Sequence, residues 1–343
     1  MNGSVVITGG GTGGHLKVAD AFIEELYNRG IGIIFIGSLN GQDKAWFEND
    51  KRLKKAIFLD TKGVVNKKGL GKFLSLFNIL SKALYCLNLY SKYNIKTVIS
   101  VGGFSAAPAT FASILKFGSN LYIHEQNSRM GKLNQLTAKF ATEVFSSFDE
   151  NSLVKDYPVS SEFFNYARVR DKVKTVAFFG GFQGAICIND FALKVAPKLQ
   201  KMGINIIHQT GKNDFMRVKT KYEELGIKVD VFDFSKQIPL KMSTADFAVS
   251  RAGASTLWEL CANSLPTFFI PYKYAASDHQ YYNAKVLKDK GLCFLKREDE
   301  LDEEYFFEAI NSDIHKISIE LISSINPNAI SLIVNIILQN NKK

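Results

Sequence analysis

Four glycine-rich turns and two polar clusters hold the residues whose types and spacing could do chemistry. The first turn is Thr8-Gly9-Gly10-Gly11-Thr12-Gly13-Gly14-His15. Glycines let the backbone approach a ligand closely, and a helix opening behind them offers N–H groups to an anion. The second is Ser100-Val101-Gly102-Gly103-Phe104-Ser105, and the third is Phe179-Gly180-Gly181-Phe182-Gln183-Gly184-Ala185. The fourth, Ser250-Arg251-Ala252-Gly253-Ala254-Ser255-Thr256, runs into Leu257-Trp258-Glu259. One such turn is weak evidence, because tight βα turns use glycine for packing alone. Two in each half of the chain, at equivalent places, are much stronger. The polar clusters are His124-Glu125-Gln126-Asn127 and Ser277-Asp278-His279-Gln280, the latter leading into Tyr281-Tyr282-Asn283-Ala284.

Several chemistries are disfavoured at once. Gly9, Gly11 and Gly14 satisfy the spacing of a dinucleotide site, which also needs an acid at the end of the second strand to hold the ribose. That strand ends Phe35-Ile36-Gly37-Ser38, without one. No Gly-Lys-Ser/Thr follows either loop, which argues against a P-loop. No His/Asp/Glu grouping has metal-ligand spacing and no Asp-x-Asp pair offers a metal–diphosphate bridge, so no metal and no cofactor are expected. His208 and His315 read as a strand and a surface-helix residue without partners. Cys86, Cys187, Cys261 and Cys293 are scattered singly and read as reduced thiols.

The elements that must position these groups alternate strand and helix, twice over. Strands are predicted at 4–8, 33–36, 56–59, 97–101, 121–124 and 143–146, with helices near 15–28, 69–85, 105–117 and 132–140. The stretch from Asp149 to Tyr166 loses the pattern, carries Pro158 and reads as a linker. A second series follows, with strands at 175–179, 204–209, 228–232, 247–250, 267–270 and 292–294, a helix at 185–201 and a closing helix at 328–338. Alternation of this kind means parallel sheets with helices on both faces, hence two doubly wound α/β domains facing a cleft. The boundaries predicted are 1–156, 157–326 and a C-terminal helix in 327–343. The length of 343 residues and 46% hydrophobic content suit two folded domains.

Net charge is +10, and residues 51–100 carry eleven basic residues against the single acid Asp60, the whole excess of the chain. A local basic field implies an anionic partner. Few arginines accompany the lysines and no recognition motif appears, so nucleic acid is not expected. The stretch 69–85 reads as a helix with more apolar residues than one stripe needs. Phe73, Leu76, Phe77, Leu80 and Leu84 suffice for a core face, leaving Leu70, Leu74 and Phe73 over at the N-terminal end. Framed by Lys67, Lys68 and Lys72, these fit docking on an anionic membrane surface. No segment reads as a membrane span, and the N-terminus runs into a strand without a secretory signal, so a cytoplasmic protein is expected.

Gly10–His15, Gly102-Gly103-Phe104, His124–Asn127, Gly180–Ala185 and Ser250–Glu259 together resemble, in order, the motifs of the MurG family of N-acetylglucosaminyltransferases in bacterial peptidoglycan synthesis. The resemblance spans residue 8 to about 284. It implies a GT-B fold and inverting transfer of N-acetylglucosamine from UDP-N-acetylglucosamine to lipid I, giving lipid II. The place implied is the cytoplasmic face of the inner membrane, as a peripheral protein, with other cell-wall synthesis proteins as further partners. It implies donor contacts at Thr12, Gly13, Gly14, Asn127, Gln183, Gly184, Gly253, Ala254, Ser255, Thr256, Glu259 and Gln280. Of these, Glu259 resembles the ribose-binding acid. Acceptor contacts fall at Gly10, Gly11, Gly102, Gly103, Phe104 and Gln126.

The acceptor hydroxyl must lose a proton as it attacks. His15, at a helix start whose dipole favours the neutral imidazole, is one candidate base and Glu125 the other. His15 orienting the acceptor diphosphate is the alternative role. The family pattern is departed from in three places. Phe182 stands where the third turn usually has Ser. Ser160 ends Tyr157-Pro158-Val159-Ser160 where the family has an arginine, leaving Arg168 or Arg170 to substitute. Lys17 and Val18 follow His15 where a proline is usual.

Overall fold

A computed structural model describes residues 4–61, 63, 69–181 and 184–340, the side chains of Leu70 and Lys72 excepted. The expectations for Lys67, Lys68, Phe182 and Gln183, and for the side chains of Leu70 and Lys72, lie outside the described residues. The chain divides into two compact units, Met1–Pro158 with Asn328–Lys343, and Val159–Pro327.

The first unit is built on β1 (Val5–Thr8), α1 (Gly13–Asn28), β2 (Ile33–Ser38), α2 (Asp43–Phe47), β3 (Lys55–Leu59), α3 (Gly69–Lys92), β4 (Thr97–Ser100), α4 (Ala107–Leu115), β5 (Asn120–Glu125), α5 (Lys132–Thr137) and β6 (Glu143–Ser146). Its six strands pair in parallel in the order β3-β2-β1-β4-β5-β6. β1, β2 and β4 are buried along their whole length, which is why they read as continuous apolar runs rather than alternating ones. α1 turns Leu16, Ala19, Phe22, Ile23 and Leu26 onto the sheet at helical spacing.

The second unit runs α6 (Ser161–Asn165), β7 (Thr175–Phe179), α7 (Ile186–Lys201), β8 (Asn205–Gln209), α8 (Phe215–Glu224), β9 (Asp230–Phe232), α9 (Ile238–Thr244), β10 (Phe247–Ser250), α10 (Ala254–Ala262), β11 (Thr267–Phe269), α11 (His279–Asp289), β12 (Phe294–Leu295), α12 (Glu303–Ile310) and α13 (Ile314–Ser323). Its parallel sheet reads β9-β8-β7-β10-β11-β12, the same permutation as the first. The stretch read as a linker contains α6, capped by the Ser160 hydroxyl accepting from Glu162 N. α14 (Ala329–Asn340) belongs to the first unit. Arg29, at the end of α1, donates to Asn335 Oδ1 at 2.6 Å and Ser331 Oγ at 2.8 Å, while Ile333, Val334 and Ile337 are buried beneath.

Three expectations are corrected. The core face of α3 is Ile79, Ala83, Cys86, Leu89 and Tyr90, packed in the cluster that includes Ala109 and Ala112 of α4, with the Tyr90 hydroxyl donating to Ala109 O. Phe73, Leu76, Phe77, Leu80 and Leu84, read as that face, are instead exposed, as is Leu74. Both stripes have helical spacing, so periodicity could not choose between them. The helix also continues beyond Tyr85 to Lys92; Phe73–Lys92 is long and apolar enough to cross a membrane by length and composition alone, a test that core helices of soluble proteins also pass. Finally, His208 and His315 have partners. His208 Nδ1 meets Tyr222 Oη at 2.9 Å and its Nε2 meets Asn189 Oδ1 at 3.0 Å, while His315 Nδ1 pairs with Asp171 at 2.5 Å. These partners lie 14 to 144 residues away along the chain, beyond any local pattern.

Candidate functional site

Strand order, more than spacing, assembles the glycine turns. β1 and β4 are neighbours, so the turns that follow them meet at the point where the sheet reverses its winding; β7 and β10 do the same in the second unit. Gly10 N donates to Gly102 O at 3.2 Å. A Cβ on Gly9 would come within 2.7 Å of the Val101 side chain, and one on Gly11 within 3.0 Å of the Phe104 ring. Gly9, Gly11, Gly102 and Gly103 all have positive φ, so this backbone-to-backbone contact requires glycine.

His15 sits in the first turn of α1 beside this contact. Its Nδ1 lies 2.8 Å from Thr12 Oγ1, and its Nε2 edge lies 3.5 Å from where a Gly102 Cβ would be. If Thr12 accepts from Nδ1–H, Nε2 carries the lone pair a base needs. Glu125 ends β5, buried, and accepts from Asn127 N at 2.9 Å, Gly131 N at 2.9 Å and Asn134 Nδ2 at 2.7 Å. It ties down the turn that follows β5. Gln126 is buried too: its amide donates to Val101 O at 3.1 Å and accepts from Tyr157 Oη at 3.3 Å, lacing that turn to the Gly102 turn.

His124 lies under these groups. Its ring packs edge-on to Phe22 and Tyr157, and among the described residues neither nitrogen has a hydrogen-bond partner. Burial, with a smaller contribution from neighbouring His15, drives its pKa down to about 3. It is therefore a neutral ring, apolar in effect, at the base of the site.

In the second unit, Gly184 has positive φ, and a Cβ there would come within 2.6 Å of Thr210 O. Asn189 of α7 donates to that same carbonyl at 3.1 Å and to Asp214 Oδ2 at 2.7 Å. Gly253 caps α10, whose Ala254, Ser255 and Glu259 are buried and whose Thr256 is half-buried. Asn283 of α11 donates to Ala252 O at 3.2 Å, joining α11 to the fourth turn. Gln280 accepts from Tyr272 N at 3.0 Å, which leaves its amide N–H₂ for a ligand's hydroxyls. Ahead of it, Ser277 and Asp278 both sit at φ near 53–54°, strained for residues other than glycine, and Arg297 holds Asp278 at 2.6 Å.

Both arginines offered as substitutes are engaged within the second unit. Arg168 pairs with Asp246 at 2.6 Å. Arg170 is fully buried and donates to carbonyls of Arg168, Met242, Ala245 and Asn263, with burial lowering its pKa to about 9. The sequence reading also passed over Asp43, Asn134, Asn189 and Arg297. Each acts on a turn distant in sequence, and only an acid shortly after β2 was a signal that could have been sought. Among the described residues, no group of three or more His, Cys, Asp or Glu could hold a metal ion.

Two doubly wound parallel sheets of one permutation, with paired glycine turns at each reversal, define a GT-B glycosyltransferase. Solved structures share the fold: MurG of Acinetobacter baumannii, with a TM-score of 0.83 at 23% identity over 98% of this chain and 99% of that one. The glycosyltransferase SnogD of Streptomyces nogalater gives a TM-score of 0.66 at 12% identity over 98% of this chain and all of its own. Residues 5–146 match the glycosyltransferase family 28 N-terminal domain and residues 175–326 its C-terminal domain, and the chain belongs to that family. It is 50% identical, over 90% of its length and 89% of the relative's, to a Campylobacter jejuni protein. That relative is named UDP-N-acetylglucosamine--N-acetylmuramyl-(pentapeptide) pyrophosphoryl-undecaprenol N-acetylglucosamine transferase. A Sulfurimonas denitrificans protein of the same name is 52% identical over 86% of each chain.

Proposed function

We propose that this chain transfers N-acetylglucosamine from UDP-N-acetylglucosamine to the N-acetylmuramyl group of lipid I, giving lipid II with inversion to a β-1,4 linkage. The reading is carried by its near full-length match, at half identity, to transferases named for that reaction. In it the first unit takes the acceptor and the second holds most of the donor. The acceptor hydroxyl oxygen bonds to the anomeric carbon as the bond from that carbon to the diphosphate breaks. UDP leaves with the electron pair, and the hydroxyl proton passes to His15. The Thr12 contact at Nδ1 supports His15 as base in the tautomer where the hydroxyl accepts from Nδ1–H and Nε2 carries the lone pair.

Glu125, with three donors on its carboxylate, acts in this reading as an anchor of the turn that carries Asn127 rather than as the base. Glu259 takes the ribose hydroxyls, and Gly184 and Gly253–Thr256 bring helix-start N–H groups to the departing diphosphate. Gln280 reaches the sugar, with Thr12, Gly13, Gly14 and Asn127 completing the donor contacts. Gly10, Gly11, Gly102, Gly103 and Phe104 face the acceptor. The exposed apolar stripe of α3, beside the basic run of residues 51–100, docks on the anionic cytoplasmic face of the inner membrane.

The test is transfer of labelled N-acetylglucosamine from its UDP donor to a short-chain lipid I analogue, with UDP-glucose and UDP-galactose as controls. Selective transfer is expected. UDP binding without transfer would refute the acceptor assignment, and loss of both would refute the donor site.

A further inference from the structure

The first glycine turn rests on a buried acid. Asp43 opens α2, five residues beyond Ser38 at the end of β2, and is wholly buried. Its Oδ1 accepts from Gly11 N at 2.5 Å and its Oδ2 from Ser38 N at 2.9 Å. Glycines make the room: a Cβ on Gly10 would come within 2.5 Å of Oδ1, and one on Gly37 within 2.9 Å of Oδ2. Burying a carboxylate is costly unless hydrogen bonds compensate it, and here both oxygens are spent on backbone amides. What the arrangement provides is a fixed spacing between the end of β2 and the turn after β1.

A dinucleotide enzyme keeps an acid near this place and points it outward at a ribose. Asp43 points inward, at the loop. We propose that Asp43 is a positioning residue for the transfer reaction. Its two acceptor oxygens fix Gly11, and through it Thr12 and His15, in the geometry the acceptor meets. The inference rests on the reading of His15 as the base. A carboxylate is needed rather than an amide, because Asn would present an N–H₂ to one of the two backbone N–H groups.

The experiment compares wild type with Asp43→Asn and Asp43→Ser, each normalised to the fraction of molecules that bind UDP. The folded variant should lose about a hundredfold in kcat/KM for the lipid I analogue. Its UDP affinity should fall far less, and amide hydrogen exchange should quicken over residues 9–15 but not over 186–201. Acceptor kinetics equal to wild type, or an equal loss of UDP affinity, would overturn the assignment. If neither variant folds, exchange at Gly11 in the wild type decides: slow exchange supports the clamp and fast exchange ends it. Absence of transfer by the wild type itself would sink the functional reading and not the clamp.

Discussion

The two units share one strand permutation, yet their crossover helices differ sharply. α3, joining β3 to β4, has 24 residues; α9, joining β9 to β10 at the equivalent place, has 7. α3 needs only one stripe to cover its sheet, and it carries a second, of which Phe73 is 67% and Phe77 65% exposed. The glycine turns differ as well. The first unit clamps its turn directly with a buried carboxylate. The second uses a relay in which Asp214 accepts from Asn189, Asn189 donates to Thr210 O, and His208 holds the amide's other end. One topology thus carries two different turn supports, because the sheet fixes where turns meet while the side chains beneath decide how they are held and with what charge.

Breaking the comparison at its chemical end should give the largest effect. His15→Ala should lower turnover by roughly a hundredfold or more and leave UDP-N-acetylglucosamine binding nearly intact. Calorimetric titration beside steady-state rates measures both, and a parallel fall in donor affinity would remove the base assignment. The mirror experiment in the second unit is Glu259→Ala. Losing charge-assisted hydrogen bonds to the ribose should weaken UDP binding by about tenfold to a hundredfold. Acceptor KM is expected to stay put, and a rise there instead would contradict the division of labour.

The crossover helices offer a milder contrast. Leu74→Glu with Phe77→Glu should weaken binding to anionic vesicles by about tenfold or more, since two apolar side chains leave the interface and two charges of the wrong sign enter. Activity on a soluble acceptor analogue should persist. A double variant that sediments with vesicles like the wild type would relocate the docking face.

The smallest effect concerns the two buried histidines. Burial holds both pKa values near 3, against an ordinary 6.5. The unfolded chain therefore takes up protons first, and their contribution to stability is lost as pH falls below about 6.5. His124 has no hydrogen bond to lose among the described residues, so His124→Phe should unfold at a higher temperature than the wild type at pH 5 and near it at pH 7. His208→Phe removes the ring nitrogens that meet Tyr222 Oη and Asn189 Oδ1 and should cost about 1–3 kcal/mol at both pH values. Thermal unfolding at the two pH values separates them; identical behaviour of the two variants would erase the distinction.

Much of this was legible in the chain itself. Continuous apolar runs marked the buried parallel strands, and the glycine turns marked strand ends, because a βα turn that approaches a ligand or another backbone admits nothing larger. Thr12 and His15 could be named because both lie on one helix start. Glu125 illustrates the limit. Its type and place suited a base, and its three donors, from Asn127, Gly131 and Asn134, became visible only in the fold. Asp43 was missed for a related reason: the acid was sought at the end of β2, whereas α2 carries it back from beyond.

By itself the sequence determined the α/β class, the doubling of the unit, the basic concentration in residues 51–100 and the motifs that place the chain among its relatives. These depend on local patterns: period, turn chemistry and charge along a short stretch. Tertiary structure alone decided which turns meet, which stripe of α3 faces outward, and which polar groups are spent on the scaffold. Those outcomes depend on strand order and on partners tens to hundreds of residues apart, and no local period encodes either. Arg170 and Asp43 show the consequence, since a charged residue reads as a surface or functional group until the fold surrounds it with backbone.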